Sequence, residues 1–311
     1  MIAILGPGGV GGFLAAALAR ASARADPHRA EAVTVVAREP TAEAIATAGI
    51  TVQSVRLGDF TAHPSATGRL KDPTDTLIIA TKATGLEAAL ERIDIQPDLV
   101  VPLLNGLDHM TALRDRFDPR TVAAGAIRIE ATRPRTGHIT QTSRFLRIDL
   151  ASDDPALHDR LTKLKDALEQ ADVPAEIGPS ESQILWAKLV RLNAIACTTS
   201  ACAQSLGFIR SDPEWRRALA ACVNEAAAVA NAEGARIDPA APMAELGDAH
   251  AELVSSMARD IEAGREPELD AIPGAVVRAA NRHQLPTPTI KRLSVQIAAR
   301  ADIPTPAWAR W

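Results

Sequence analysis

Three glycines near the start of the chain have the spacing to hold a diphosphate. Gly6, Gly8 and Gly11 fill a G-x-G-x-x-G pattern inside MIAILGPGGVGGFLAAALAR. In that pattern the first glycine permits a tight turn. The second lets backbone approach a pyrophosphate with no Cβ in the way, and the third allows a helix to pack closely on a strand. A glycine-rich turn with no ligand would show the same spacing. Here Met1–Leu5 is apolar enough for one buried strand and Phe13–Leu18 is rich in alanine and leucine, so strand, turn and helix come in the order a dinucleotide site needs. The helix N-terminus adds unpaired N–H groups and a partial positive charge. Gly6, Gly8, Gly9 and Gly11 are therefore candidate cofactor-binding residues.

Further polar residues stand where strands end. Arg38 follows the β-branched run Ala32–Ala37. An acidic residue at that point would take ribose hydroxyls, whereas an arginine pairs with a 2′-phosphate, which favours NADP(H). Glu39 is next and can serve a ribose hydroxyl or pair with Arg38, and a solvated arginine is the alternative. Lys82 ends the run Thr76–Thr81 and Asn105 ends Leu99–Leu104. Ligands of open α/β sheets bind along that carboxyl edge. Lys188 sits at helical spacing from Leu185, Leu192 and Ile195. An ammonium in such a setting costs free energy unless it is solvated or paired. It either snorkels along apolar surface or has chemistry to do. The sequence has no HExxH, no paired Cys/His spacing for a metal, no GxSxG elbow and no GxxxxGK[ST] phosphate loop.

The elements that must position these residues divide the chain in two. At 311 residues with 47% hydrophobic content, two domains are expected. A net charge of −4, only 3% aromatic residues and no tyrosine speak against nucleic acid or an anionic membrane as partner. No apolar run reaches the ~20 residues that span a bilayer. A strand at Met1 leaves no room for a signal peptide, and Cys197, Cys202 and Cys222 read as free thiols, so the chain reads as soluble and cytoplasmic. Ala21–Arg29, with Pro27, reads as a loop. Ile50–Val55 and Leu57–Thr61 read as paired strands and Leu86–Ile93 as a short helix. Val122–Ile129, His138–Thr142 and Phe145–Leu150 read as strands completing the sheet, partly antiparallel. Pro155–Ala171 is an amphipathic helix and Glu176–Pro179 a linker. Beyond it come helices over Ser182–Ala203, Pro213–Glu233, Pro242–Ala263, Leu269–Gln284 and Thr289–Ala301. The fold class is α/β: a Rossmann-like doubly wound sheet over 1–178, then an all-helical domain over 179–311. The C-terminal WARW, with Trp308 and Trp311, docks on the body, meets an oligomer partner or frays. A homodimer is left open.

The chain resembles the ketopantoate reductases (2-dehydropantoate 2-reductases) over nearly its whole length. The resemblance is carried by ILGPGGVGG, TKA at Lys82, LLNG at Asn105, LWAKL at Lys188 and the run from Ser255 to Thr289. It implies NADPH-dependent reduction of a 2-oxo acid to a 2-hydroxy acid, with a small-molecule substrate. It further implies that Lys188 is the catalytic proton donor and that Glu268 binds and orients substrate. Ser256 would meet the substrate carboxylate, Lys82 and Asn105 would line the nicotinamide pocket, and Arg38 would meet the 2′-phosphate. Leu192 and Ala196 stand where the family carries asparagines, and Leu253 and Val254 where it has another. Asn193, a further candidate for substrate binding, is five residues after the lysine and turned about 140° from it, so a one-residue bulge is needed to aim it. These departures suggest a more apolar 2-oxo acid. The rival of another class is an NADP(H)-sensing regulator, which would need no proton donor.

Overall fold

The computed structural model describes residues 1–25 and 33–310, so the loop around Pro27, the first residue of the Ala32–Ala37 run and Trp311 lie outside the described residues. The chain forms two compact units. The first is Met1–Leu104 with His109–Ile184, and the second is Asn105–Asp108 with Leu185–Trp311.

In chain order the strands of the first unit are β1 (Ile2–Leu5), β2 (Val33–Val36), β3 (Ile50–Ser54), β4 (Phe60–Ala62), β5 (Ser65–Thr67), β6 (Thr76–Ile79), β7 (Leu99–Pro102), β8 (Ala124–Arg128), β9 (Ala131–Arg135), β10 (His138–Gln141), β11 (Arg147–Ala151) and β12 (Ala175–Ile177). Its helices are α1 (Gly9–Ala25), α2 (Glu39–Ala48), α3 (Leu86–Leu90), α4 (His109–Arg116) and α5 (His158–Gln170). Five parallel strands run in the order β5-β2-β1-β6-β7. Leu5 registers with both Val36 and Ile79, and Ile79 with Pro102, so the carboxyl ends of β2, β1, β6 and β7 lie level. The buried β-branched and leucine runs that form these strands suit a sheet covered on both faces.

The later strands do not complete that sheet. They form two more, β4-β3-β10-β9 and β12-β11-β8. Their side chains differ in pattern: β10 alternates buried and half-buried residues, as a sheet with one covered face requires, whereas β2, β6 and β7 are buried throughout. Helix α1 packs on β3, β4, β9 and β10 as well as on β1 and β2. Gly11–Ala19 are accordingly all buried, and the helix is apolar all round for that reason. It runs on to Ala25, past the point where the alanine-rich sequence reads as loop. Ala175–Ile177 is a strand parallel to β11 where a linker is expected. In α5, Leu161, Leu164 and Leu168 face the core as their spacing predicts.

The second unit begins within α6 (Glu181–Cys202) and continues with α7 (Leu206–Ser211), α8 (Pro213–Ala232), α9 (Ala240–Asp248), α10 (Ser256–Glu262), α11 (Ala275–Arg282) and α12 (Pro288–Arg300). Its core is built mainly from residues of α6, α7, α8, α11 and α12, with Leu246 of α9 and Met257 of α10. One expected helix is broken, and another opens with a wider turn. Residues 249–255 separate α9 from α10, where Leu206 and Gly207 donate backbone bonds to Leu253 and Ala251, and Ser255 caps α10 by accepting from Ala258 N at 3.0 Å. The segment Asp270–Gly274 is a π-turn: Pro273 has no N–H to give, and Gly274 N reaches back five residues to Leu269 O at 3.1 Å.

Candidate active site

In the first unit the chain leaves β1 at Leu5 and turns at Gly6, whose φ of +91° is open to glycine and rarely to other residues. Gly6 N donates to Val36 O at 3.0 Å, and Gly8 N returns to Gly6 O at 2.8 Å. The close packing expected of Gly11 is present: a Cβ there would lie 2.2 Å from Gly6 O. Gly9 has a different duty, since its Cβ would fall 2.2 Å from Ala131 O on β9. At Gly8 a Cβ would meet nothing within 4 Å. The face above Gly8 is thus open, while its neighbours are pressed against protein. This arrangement fits a dinucleotide: a strained turn, an open glycine face and the first N–H groups of a long buried helix.

Arg38 and Lys82 follow β2 and β6 on the level edge of the parallel sheet. Both are exposed, Arg38 at the N-cap of α2 and Lys82 at the N-cap of a single 3₁₀ turn. Among the described residues the Arg38 guanidinium has no hydrogen-bond or ion-pair partner, while its backbone carbonyl accepts from Thr41 N and Ala42 N. Glu39 does not pair with it: its carboxylate accepts from Arg92 Nη1 at 3.2 Å. A free guanidinium at that edge is suited to a phosphate dianion.

In the second unit Asn105 Nδ2 donates to Glu268 Oε2 at 2.9 Å. Glu268 is buried and Asn105 half-buried. The loop bearing Asn105 is fixed on the segment after Glu268. Gly106, at φ +85°, lies so close to the π-turn that a Cβ would be 2.1 Å from Ala271 O. Asp108 pairs with Arg278, which also donates to Asp270 Oδ1 at 2.7 Å. Burial opposes the charge of Arg278, but Asp270 and Asp108 outweigh it and raise its pKa above the ordinary arginine value. Trp308 Nε1 donates to the same Asp270 oxygen at 2.8 Å, so the tail docks on its own unit up to that residue.

Lys188 is half-buried on α6, and Leu192, one turn on, shares its face and is half-buried too. Ala196 and Asn193 are fully buried. Helix α6 is regular throughout, so the bulge needed to aim Asn193 toward Lys188 is not there. Asn193 Oδ1 instead accepts from Cys197 Sγ at 3.4 Å, and its buried Nδ2 has no partner among the described residues. Ser256 is exposed in the first turn of α10, next to the buried capping Ser255. Sequence reasoning passed over Arg133 of β9, which donates to Pro7 O at 3.2 Å, and the cluster of Asp108, Asp270 and Arg278 on which Trp308 docks. Neither carried a signal, because one partner is a backbone carbonyl and the others come together only through folding.

Comparison with known proteins decides the family. The profile described as "Ketopantoate reductase PanE/ApbA" matches residues 2–152, and "Ketopantoate reductase PanE/ApbA C terminal" matches residues 182–306. The chain belongs to the ketopantoate reductase family. It is an NADP-dependent oxidoreductase acting on CH–OH groups, and the family's cofactor is NADPH and its reaction the reduction of 2-oxo acids. Among its relatives, the uncharacterized oxidoreductase YkpB of Bacillus subtilis is 26% identical over 93% of this chain and 94% of that protein. The 2-dehydropantoate 2-reductase of Caulobacter vibrioides is 28% identical over 92% and 94%. The crystal structure of 2-dehydropantoate 2-reductase from Geobacter metallireducens aligns with a TM-score of 0.85 at 25% identity, covering 96% of this chain and 99% of that one. A D-mandelate dehydrogenase solved with NADH and anilino(oxo)acetate shares the fold, with a TM-score of 0.85 at 20% identity over 97% and 98%. Among the described residues no helix is long and apolar enough to cross a membrane.

Proposed function

We propose that this chain reduces a small 2-oxo acid to the 2-hydroxy acid with NADPH, 2-dehydropantoate being the first substrate to try. In this reading the first unit holds the dinucleotide on Gly6, Gly8 and Gly11, with Arg38 at the 2′-phosphate and Lys82 beside the bound cofactor. The second unit supplies the acid–base and substrate residues. The observation that carries the reading is the Asn105–Glu268 hydrogen bond. A buried carboxylate held in one orientation by an amide is a costly feature in an apolar domain, and one that substrate hydroxyls can use.

When bound, NADPH supplies the hydride for the keto carbon. Lys188 holds a proton for the oxygen that becomes alkoxide, and its positive charge stabilises the charge developing there. Glu268, kept in place by Asn105, accepts from a substrate hydroxyl, and the exposed hydroxyl of Ser256 donates to the substrate carboxylate. A homodimer remains compatible with this scheme, which asks nothing of a second copy.

A second reading concerns the substrate's side chain. Leu192 stands half-buried on the face of Lys188, where an amide would read a hydroxyl, and Leu253 is half-buried as well. These favour a 2-oxo acid with an apolar substituent. The test is steady-state NADPH oxidation with 2-dehydropantoate, pyruvate, 2-oxoisovalerate and phenylglyoxylate. Turnover of any of them supports the reductase and excludes a silent sensor, and the ranking by kcat/KM chooses between the substrates. Lys188→Ala should lower kcat by about 10²–10⁴-fold while NADPH still binds. An unchanged kcat would move the proton donor elsewhere.

A further inference from the structure

The glycine turn has a cation of its own. Arg133 lies on β9, and its guanidinium donates to Pro7 O, the carbonyl between Gly6 and Gly8, at 3.2 Å. The strand is seated on the turn without a gap, because the backbone of Ala131 occupies the space a Gly9 side chain would need. Arg133 is exposed, and among the described residues it has no carboxylate partner. The first turn of α1, Gly-Val-Gly-Gly, contributes no charged side chain. An NADP molecule brings two separate anionic groups, the 2′-phosphate and the diphosphate. Arg38 stands at the end of β2 and Arg133 on β9 against the turn after β1, so the two guanidiniums are at different places.

We propose that Arg133 binds the diphosphate of the dinucleotide. One N–H is spent on Pro7, which fixes the guanidinium beside the open Gly8 face, and the remaining N–H groups stay available to phosphate oxygens. Backbone N–H groups at a helix start offer only partial charge. A guanidinium adds a full one, in hydrogen bonds about twice as strong as neutral ones. The inference rests on the reading that this turn holds the dinucleotide.

The experiment is direct binding of NADPH and NADH to the intact protein, without substrate, for the wild type, Arg133→Ala, Arg133→Gln and Arg38→Ala. Glutamine keeps a donor for Pro7 but has no charge. Both Arg133 variants should weaken NADPH and NADH by the same factor, about tenfold or more, with unchanged melting temperature of the free protein. Arg38→Ala should instead weaken NADPH selectively. Wild-type affinity in Arg133→Gln would make Arg133 a mere brace for the turn and overturn the proposal. A loss confined to NADPH would overturn it too, by assigning Arg133 to the 2′-phosphate. Failure of the wild type to bind either dinucleotide would instead sink the underlying reading of the turn.

Discussion

Asn105 and Glu268 are 163 positions apart in the chain and share a 2.9 Å hydrogen bond from amide to carboxylate. The amide donates one N–H and so fixes which way the buried carboxylate points. Glu268→Gln keeps the shape and removes the charge. It should lower kcat/KM for the 2-oxo acid by about 10²-fold, as loss of one oriented active-site group does. Asn105→Ala should cost less in kcat/KM, on the order of tenfold, because the carboxylate survives but loses its orientation. Both are read by steady-state kinetics. A larger loss in Asn105→Ala than in Glu268→Gln would mean that the amide, not the carboxylate, is what substrate needs.

The Arg38 guanidinium has no partner among the described residues, so no internal bond competes for it. Replacing it with alanine should weaken NADPH by roughly 10- to 100-fold, the cost of losing a charge-assisted bidentate pair. NADH, which lacks the 2′-phosphate, should change by less than a factor of about three. Titration of both cofactors into the variant checks this, and equal losses would remove the 2′-phosphate role. The protein's melting temperature should stay put, since the side chain is exposed and caps nothing.

Much of the dinucleotide unit could be read directly from sequence because its signals are local. An apolar run, glycines at fixed offsets and an alanine-rich segment specify β1, the turn and α1 within twenty-five residues. Lys82 and Asn105 stood out because continuous apolar runs end just before them. Strand β9 did not stand out: its ATRPR sequence includes Pro134 and exposes four of its five side chains, so no periodicity marks it. The break between α9 and α10 misleads for the opposite reason. Residues 249–255 are apolar enough to continue a helical pattern, and only the Ser255 cap marks the new start, whereas Asp270–Gly274 does continue into α11, with Pro273 inside its wider π-turn. Pairings such as Asn105 with Glu268 leave no trace in spacing, since neither residue's neighbours depend on the other.

Two glycines of one motif should fail in different ways. At Gly11 an added Cβ would lie 2.2 Å from Gly6 O and 3.0 Å from the Ala80 side chain, so Gly11→Ala must push helix from strand. Overpacking of this kind costs about 1–3 kcal/mol and should show as a lower melting temperature of the free protein. At Gly8 the Cβ would enter open space, so Gly8→Ala should leave stability intact and weaken NADPH instead. Thermal unfolding and cofactor titration on the two variants separate the outcomes. A Gly8→Ala protein that binds NADPH like the wild type would show that the open face is not where cofactor lies.

Trp308 reaches the Asn105 loop through other residues. Its indole N–H donates to Asp270, the same oxygen takes a bond from Arg278, and Arg278 holds Asp108 on the loop of Asn105. The ring also lies against Gly274, where a Cβ would come within 3.0 Å of it. Phenylalanine would keep the packing and lose one hydrogen bond, worth about 0.5–1.5 kcal/mol net, whereas alanine would lose both. If the tail steadies the π-turn and through it Glu268, Trp308→Ala should raise KM for the 2-oxo acid several-fold and lower kcat little. NADPH binding to the first unit's glycine turn should be untouched, and Trp308→Phe should fall between alanine and wild type. A Trp308→Ala protein that melts earlier but keeps its KM would make the tail a structural brace with no part in placing the carboxylate.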